Sequence, residues 1–211
     1  PGDARRRRGL GVGEPAADEP RGPGRPSTGA RERVLAAALE TLLEEGYAGL
    51  TYAKVAVRAG ENKSLISYYF GSKQGLVSEV ARLVGERITG EVLAELVDVE
   101  TVGAIAEGMV TGLWKVMDDD PRMARLYFDL SAVSVVDDEI RAALHEVKDR
   151  WREVIARYLL EAGVRRPDVP AVATFLLAGV EGLAIERLEG YDPGRLEAAR
   201  RIFVRSASVA V

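Results

Sequence analysis

Apolar residues recur at helical spacing from about residue 29 to the end of the chain. Over residues 29–45 they follow an i, i+4, i+8 pattern, and charged residues occupy the opposite positions. The apolar stripe consists of Val34, Leu35, Ala38, Leu39, Leu42 and Leu43. Gly46 follows in the position that glycine often occupies after a helix. This pattern predicts an amphipathic first helix over residues 29–45.

Three more helices are predicted from residues suited to cap helix N-termini. Thr51 can cap a short second helix that ends near Gly60, and Asn62 can cap a third that runs to about Tyr69. Ser72 can cap a long fourth helix. One face of the fourth helix carries Leu76, Val77, Val80, Leu83 and Val84. The break between the second and third helices is only about three residues long.

The rest of the chain continues in the same helical pattern. We predict helices over residues 101–118, 122–135, 138–162, 168–188 and 192–208. Breaks rich in Asp, Gly and Pro separate several of these segments. No stretch shows convincing strand alternation, so we expect an all-α fold of about nine helices.

Composition narrows the class of protein. Apolar residues make up 47% of the 211 residues and charged residues 29%, which are ordinary values for a globular protein. The absence of cysteine excludes disulfides, thiolate metal sites and cysteine nucleophiles. We expect no metal and no cofactor. We also expect a soluble, cytoplasmic protein without a membrane span, because residues 169–185 are short and include Pro170, Thr174 and Glu181.

Charge and composition divide the chain into three parts. Residues 1–27 are rich in Gly, Pro, Arg and Ala, and we expect a disordered tail. The run Arg5 to Arg8 is either solvated or an arm that touches DNA, and Arg21 and Arg25 are better placed for such contact. Residues 1–75 carry 12 Lys and Arg against 9 Asp and Glu, whereas the remainder carries 17 against 24. We therefore expect a DNA-reading head over residues 28–75 and a helical body over residues 76–211.

The segment over residues 51–73, TYAKVAVRAGENKSLISYYFGSK, has the pattern of a helix-turn-helix. Ala56 is small where the two helices cross, and Gly60 can adopt the positive φ that a sharp turn requires. Val55, Ala59, Ile66 and Tyr69 are expected to pack inward. The N-terminal end of the second of these helices would then enter the major groove of DNA.

The order of short motifs here resembles the DNA-binding head of the TetR family of regulators. These motifs are GYAGLT at residues 46–51, AVRAG at residues 56–60 and LISYYFGSK at residues 65–73. The resemblance is sharp over residues 29–80, and elsewhere it covers length, helical character and helix order. Glu61 departs from it, because the family usually has an apolar residue after the turn glycine. Either the turn is more open than usual, or the Glu61 carboxylate points outward and helps to cap the third helix.

The resemblance implies roles for individual residues of the head. Tyr69 and Lys73, with Thr51 and Tyr52 at the start of the second helix, would hold the phosphate backbone. For Tyr69, packing is an equally good interpretation. The residues that project from the third helix are Asn62, Lys63, Ser64, Ser67 and Tyr68, of which the last four would read bases.

The last two helices are candidates for a homodimer interface. A single helix-turn-helix reads only a few base pairs, so a dimer is expected. The predicted interface residues are Val172, Phe175, Leu176, Gly179 and Leu183. Gly179 and Gly182 would let another helix approach closely. A helix in the protein's own interior would show the same pattern, and the TetR resemblance favours a four-helix dimer bundle.

The middle helices carry large apolar side chains on more than one side. In TetR-like proteins these helices enclose an inducer cavity, which here would suit an apolar or aromatic small molecule. The candidate lining residues are Met109, Leu113, Trp114, Met117, Tyr127, Phe128 and Trp151. Such residues are also typical of an ordinary core.

These features together predict a ligand-responsive transcriptional regulator. By resemblance it would be a repressor that binds a palindromic operator as a dimer and is released by a small molecule. We do not expect an enzyme, because the chain has one histidine, no cysteine and no complete phosphate-binding loop. The other alternative is a helical protein–protein adaptor with a degenerate head.

Overall fold

The computed structural model describes residues 29–209, and its regular secondary structure in that range is entirely helical. The nine helices are α1 (Ala30–Gly49), α2 (Tyr52–Ala59), α3 (Lys63–Phe70), α4 (Lys73–Ala94), α5 (Val102–Asp119), α6 (Pro121–Val133), α7 (Asp138–Glu161), α8 (Val169–Leu188) and α9 (Pro193–Val209). The all-α prediction is confirmed. The proposed tail over residues 1–27, with its arginines, lies outside the described residues.

The first three helices form the head. α1 is interrupted at Gly46, whose φ of 68° and ψ of −177° are not helical, so its regular part ends where the sequence predicted. The hydroxyl of Thr51 accepts a hydrogen bond from the Lys54 amide and caps α2. Gly60 then adopts a φ of 66°, which lets the chain turn sharply into α3. Local turn chemistry therefore sets the angle between α2 and α3.

α4 connects the head to the body. It packs on α1 and α3 of the head and on α5, α6 and α7 of the body. The apolar core runs through both parts without a break, from Val34 in α1 to Ala207 in α9. One apolar core therefore joins the head to the body.

α4 and α7 approach each other closely at Gly85. A Cβ atom added to Gly85 of α4 would lie 2.5 Å from Val147 Cγ1 of α7, so only glycine fits at this spacing. Polar contacts reinforce the pair on both sides of Gly85. Arg82 Nε donates to Glu146 at 2.8 Å, and Trp151 Nε1 donates to Thr89 Oγ1 at 2.6 Å. The two helices are thereby held as a pair.

One helix in the described range, α8, is long and apolar enough to cross a membrane by length and composition alone. The expectation that no helix could span a membrane concerned the apolar stretch over residues 169–185, whereas the helix that contains it has 20 residues and ends at Leu188. In the fold, Val172, Ala173 and Leu176 of α8 are buried in the protein's own core. The apolar residues on that face of α8 therefore pack against the rest of the protein.

Candidate DNA-binding and effector sites

α3 presents a polar, exposed face to solvent. Ile66 and Phe70 are buried against the head, which turns the opposite side of the helix outward. That outward side carries Lys63, Ser64, Ser67 and Tyr68. Tyr68 leaves 73% of its surface exposed, which is a large exposed fraction for an aromatic side chain. The four residues expected to read bases thus share one accessible surface.

Two of the predicted DNA-binding residues are helix caps. Asn62 Oδ1 accepts from the Leu65 amide at 2.8 Å and from the Ser64 hydroxyl at 2.6 Å. Thr51 Oγ1 accepts from the Lys54 amide at 3.3 Å. Their side chains hold the ends of α3 and α2 in place, so both residues position the neighbouring backbone N–H groups.

The two predicted phosphate-binding tyrosines differ in placement. The Tyr52 hydroxyl is buried close to Ser67, and burial raises the pKa of Tyr52. That hydroxyl faces inward, so a phosphate contact at this position would come from the backbone. Tyr69 is half-buried and meets the rings of Tyr68 and Phe70 edge-on, at centroid distances of 5.3 and 6.2 Å.

Lys73 lies at the first residue of α4, close to the end of α1. Its ammonium donates to the Tyr47 carbonyl at 3.0 Å and lies 4.3 Å from the centre of the Tyr47 ring. Burial lowers the pKa of Lys73. An ammonium has three donors, so the bond to Tyr47 leaves others for a phosphate. The contact with Tyr47 also limits how far the side chain can move.

The described head carries nearly balanced charge. Residues 30–75 contain six Lys and Arg against five Asp and Glu. On α2, Lys54 pairs with Glu45 and Arg58 pairs with Glu44 of α1. Arg58 lowers the pKa of Glu44 through this contact. Within residues 30–75, Lys63 is the cation for which the structure shows no carboxylate or carbonyl partner.

Glu61 pairs with Arg33 of α1 across the head. Its side chain is 14% exposed, so it is neither directed to solvent nor placed to cap α3. The turn itself is closed, because the Glu61 amide donates to the Ala56 carbonyl at 3.0 Å. Neither alternative predicted for Glu61 matches this geometry. An ion pair with α1 occupies the position where the family usually has an apolar side chain.

A cavity of about 60 Å³ lies in the body between α4, α5, α6, α7 and α8. Four of the predicted lining residues surround it, namely Met109, Leu113, Tyr127 and Trp151. The other lining residues are Ile88, Thr89, Val92, Leu93, Leu96, Val154, Ile155, Leu177, Val180 and Glu181. The walls are therefore mostly aliphatic, with two aromatic rings and few polar groups.

Every polar side chain in this lining has a hydrogen-bond partner. Tyr127 donates its hydroxyl to Glu181 Oε1 at 2.5 Å, and Lys148 contacts the same carboxylate oxygen at 2.9 Å. Trp151 donates to Thr89, as described above. Burial raises the pKa of Tyr127, and the neighbouring Glu181 carboxylate raises it further. Thr89 and Glu181 were not predicted as lining residues, although each is a polar residue within an apolar helix segment.

Three predicted lining residues lie elsewhere. Trp114 faces α8 and α9, where the guanidinium groups of Arg187 and Arg200 lie 4.7 and 5.3 Å from its ring centre. Met117 is buried in the core outside the cavity lining. Phe128 packs edge-on against Tyr127 at 5.2 Å, behind the cavity wall.

The predicted dimer residues divide between the core and the surface. Val172 and Leu176 are buried in the protomer and are not available to a second copy. Gly179 makes room within the protomer, because an added Cβ atom would lie 2.2 Å from the Phe203 ring of α9. Leu183 is half-buried. Phe175 is 41% exposed and is the member of the predicted set that projects most clearly outward.

The outward faces of α8 and α9 both follow a heptad-like spacing of 4, 3, 4 and 3 residues. On α8 this face carries Ala171, Phe175, Ala178, Gly182 and Ile185. On α9 it carries Arg195, Ala199, Ile202, Ser206 and Val209. The α8 set is entirely apolar or glycine, and a Cβ atom added to Gly182 would meet nothing within 4 Å. Apolar residues at this spacing are typical of helices that pack on other helices.

Comparison with known proteins finds two family matches. Residues 34–80 match the bacterial regulatory proteins of the tetR family, and residues 107–208 match the C-terminal domain of BetI-type transcriptional repressors. The first match contains α2, α3 and the exposed face of α3 with Lys63, Ser64, Ser67 and Tyr68, which we call the recognition surface. The second contains most of the cavity and the outward faces of α8 and α9.

Individual relatives agree with these matches over most of their length. The HTH-type transcriptional regulator CymR of Pseudomonas putida is 27% identical over 172 residues, which cover 80% of this chain and 84% of CymR. BetI 1 of Chromohalobacter salexigens is 26% identical and covers 72% of this chain and 76% of its own. RutR of Escherichia coli K12 is 28% identical over 70% of this chain and 69% of its own. All three are named as transcriptional regulators.

Solved structures share the fold. A TetR-family regulator from Rhodococcus sp. superimposes with a TM-score of 0.69 at 23% identity, over 87% of this chain and 99% of its own. A regulator from Saccharomonospora viridis in complex with choline gives 0.64 at 22% identity, over 84% and 94%. FadR from Bacillus subtilis in complex with stearoyl-CoA gives 0.66 at 17% identity, over 86% and 99%. Together with the two family matches, these findings show that the chain belongs to the TetR family and is a DNA-binding transcriptional regulator.

Proposed function

We propose that the protein is a ligand-responsive repressor that binds a palindromic operator as a homodimer and leaves it when a small molecule enters the body. One observation carries this proposal: a single helix, α4, serves both sites. It begins at Lys73 beside the recognition surface, and its residues Ile88, Thr89, Val92 and Leu93 line the cavity. A change in the cavity therefore acts on the helix that carries the head.

The DNA contacts divide between base reading and backbone binding. Lys63, Ser64, Ser67 and Tyr68 lie on the exposed face of α3, and lysine can donate to O6 and N7 of guanine. Lys73 binds phosphate together with the backbone N–H groups at the start of α4. The caps Thr51 and Asn62 hold the N-termini of α2 and α3 toward the DNA.

The outward faces of α8 and α9 support a four-helix dimer interface. Phe175 and Ile185 are each 41% exposed, and Ile202 is 56% exposed. Large apolar side chains clustered on one surface indicate a protein–protein contact. Two heads joined in this way can read two half-sites about 34 Å apart on one face of the DNA.

The effector enters the cavity between α4 and the body. The structural neighbours from S. viridis and B. subtilis hold choline and stearoyl-CoA in their crystals, so related folds accept very different small molecules. A ligand with roughly 100-fold preference for the non-binding conformation supplies about 2.7 kcal/mol of coupling. Such a regulator acts where the chromosomal DNA is, so we place it in the bacterial cytoplasm.

A salt titration of DNA binding tests the phosphate and base contacts. Fluorescence anisotropy with an enriched duplex should show that Lys63→Ala weakens binding and relaxes the sequence preference at the base pair it contacts. Lys73→Ala should weaken binding across all sequences and lower the slope of log K against log salt by about 1. Lys115→Ala is the control, because Lys115 lies on α5 and pairs with Glu91 and Glu95 away from the head. Unchanged binding by both head variants would refute these contacts.

A further inference from the structure

Three consecutive carboxylates lie at the start of α7, beside the head. Asp137 Oδ1 accepts from the amides of Glu139 and Ile140, both at 3.1 Å, and so caps the helix. Asp138 Oδ1 lies 2.8 Å from the guanidinium of Arg141. Within residues 29–209 the structure pairs Glu139 with no lysine or arginine, and its side-chain contact is with a hydroxyl. The negative charge of Glu139 is therefore not neutralised by an ion pair in this part of the chain.

The side chain of Glu139 contacts the N-terminus of α4, across the junction between body and head. Ser72 Oγ donates to Glu139 Oε2 at 3.1 Å and accepts from the Gly75 amide at 2.8 Å. A Cβ atom added to Gly75 would lie 3.3 Å from Glu139 Oε1, so the carboxylate lies directly against the first turn of α4. The Ser72 hydroxyl has a single proton, and Glu139 accepts it. In this arrangement the hydroxyl is not available to donate to another anion.

The same carboxylate also acts on the start of α2. Burial raises the pKa of Tyr52, and the nearby negative charge of Glu139 raises it further. The proposed phosphate contacts lie at both of these helix starts, with Lys73 on α4 and Thr51 capping α2. Glu139 is exposed, so an approaching phosphate can come close to it. Two anions at one helix N-terminus repel each other and compete for the same positive end of the helix dipole.

We propose that Glu139 limits the affinity of the protein for DNA, because its carboxylate opposes the phosphates bound at the starts of α2 and α4. This inference rests on the phosphate contacts of the proposed function. A phosphate at the N-terminus of α4 meets a like charge there and competes with it for the Ser72 hydroxyl. α7 also carries Trp151, Val154 and Ile155 of the cavity lining. The body thus reaches the DNA-binding end of α4 through this charge as well as through α4 itself.

Two substitutions in the same helical turn test the proposal on the full chain. Glu139→Gln removes the charge but keeps a side-chain oxygen that can accept from Ser72. By fluorescence anisotropy at low salt it should bind both an enriched duplex and an unrelated duplex about 3- to 10-fold more tightly than wild type, since phosphates carry the same charge in any sequence. Asp138→Asn is the matched control, because it makes the same change in net charge at a side chain that is 91% exposed and paired with Arg141. Its effect should stay below about twofold.

Salt dependence separates an electrostatic role of Glu139 from a structural one. The gain in Glu139→Gln should shrink as salt rises, because screening weakens the repulsion that the substitution removes. The slope of log K against log salt should accordingly become steeper by up to about 1. Glu139→Ala is a second variant, which also frees the Ser72 hydroxyl, and it should tighten binding as well. Circular dichroism checks that each variant is folded.

Three results would overturn the proposal: unchanged or weaker binding by Glu139→Gln and Glu139→Ala, an equal gain in Asp138→Asn, or a gain that stays constant from low to high salt. The unrelated duplex measures backbone contacts without base reading. A wild-type protein that shows no sequence preference therefore contradicts the proposed function, whereas the comparison of the variants on the unrelated duplex still decides the role of Glu139.

Discussion

At the scale of single residues, Glu61 shows how a family position can be filled by different chemistry. The turn after α2 closes in the usual way, with a left-handed glycine and a backbone hydrogen bond to Ala56. An apolar side chain at this position normally stabilises the turn because it is buried. Here the ion pair between Glu61 and Arg33 of α1 takes that place. Arg33 is 47% exposed, so solvent screens the pair and its contribution is modest.

A double-mutant cycle measures that contribution. Glu61→Ala, Arg33→Ala and the double variant should give a coupling free energy of about 0.5–1 kcal/mol in urea unfolding at low salt. The coupling should fall in 1 M NaCl because screening weakens exposed ion pairs. A coupling near zero at low salt would show that the pair contributes nothing to the stability of the head.

The individual residues that line the cavity were predicted only in part from the sequence. Trp114 and Tyr127 both appear in the sequence as large aromatic residues on apolar helices. Tyr127 faces the cavity, whereas Trp114 faces the arginines of α8 and α9. The direction in which each of these side chains points depends on the rotation of α5 and α6 about their own axes. Long-range packing against neighbouring helices sets that rotation. Glu181 could have been singled out from the sequence, because it interrupts an otherwise apolar segment.

At the scale of elements, the sequence predicted helix order and most helix ends closely. The breaks near Gly46 and Gly60 and the caps at Thr51, Asn62 and Ser72 depend on neighbouring residues only, so local chemistry determines them. The outward face of α8, which we propose as a dimer interface, was harder to predict. Its hydrophobic residues surround the helix, and which of them turn inward depends on α5 and α9. The apolar pattern alone therefore did not separate buried Leu176 from exposed Ile185.

The close approach of α4 and α7 can be tested with two glycines of the same helix. Gly85→Ala introduces a methyl group against Val147 and should lower the free energy of unfolding by about 1–3 kcal/mol. Gly90→Ala is the matched control, because Gly90 is exposed and an added Cβ atom meets nothing within 4 Å. It should raise stability by up to about 1 kcal/mol through helix propensity.

Thermal and urea unfolding followed by circular dichroism distinguish these variants. If α4 carries the signal from the cavity, Gly85→Ala should also alter operator affinity, whereas Gly90→Ala should leave it near that of wild type. Equal effects of the two substitutions on stability would contradict the tight packing of α4 on α7.

At the scale of the whole molecule, the proposed function requires two copies that act together. The outward faces of α8 and α9 have coiled-coil spacing and large exposed apolar side chains. Phe175→Arg or Ile185→Arg should produce monomers, because each places a charge in the centre of the proposed interface. Val136→Arg is the control, since Val136 is 84% exposed at the turn between α6 and α7.

Light scattering coupled to size-exclusion chromatography measures these masses. Wild type and Val136→Arg should elute as dimers and the two interface variants as monomers with weakened operator binding. A monomeric wild type, or interface variants that remain dimeric, would place the contact between copies elsewhere.

The central claim is that this chain reads a specific DNA sequence with two identical heads. Selection from a random-sequence duplex library, followed by salt-dependent affinity of the enriched sites, tests it most directly. We expect an enriched palindrome whose half-site centres are separated by a whole number of helical turns, each of about 10–10.5 base pairs, with affinity that falls steeply with salt. Binding without any enriched sequence would contradict it.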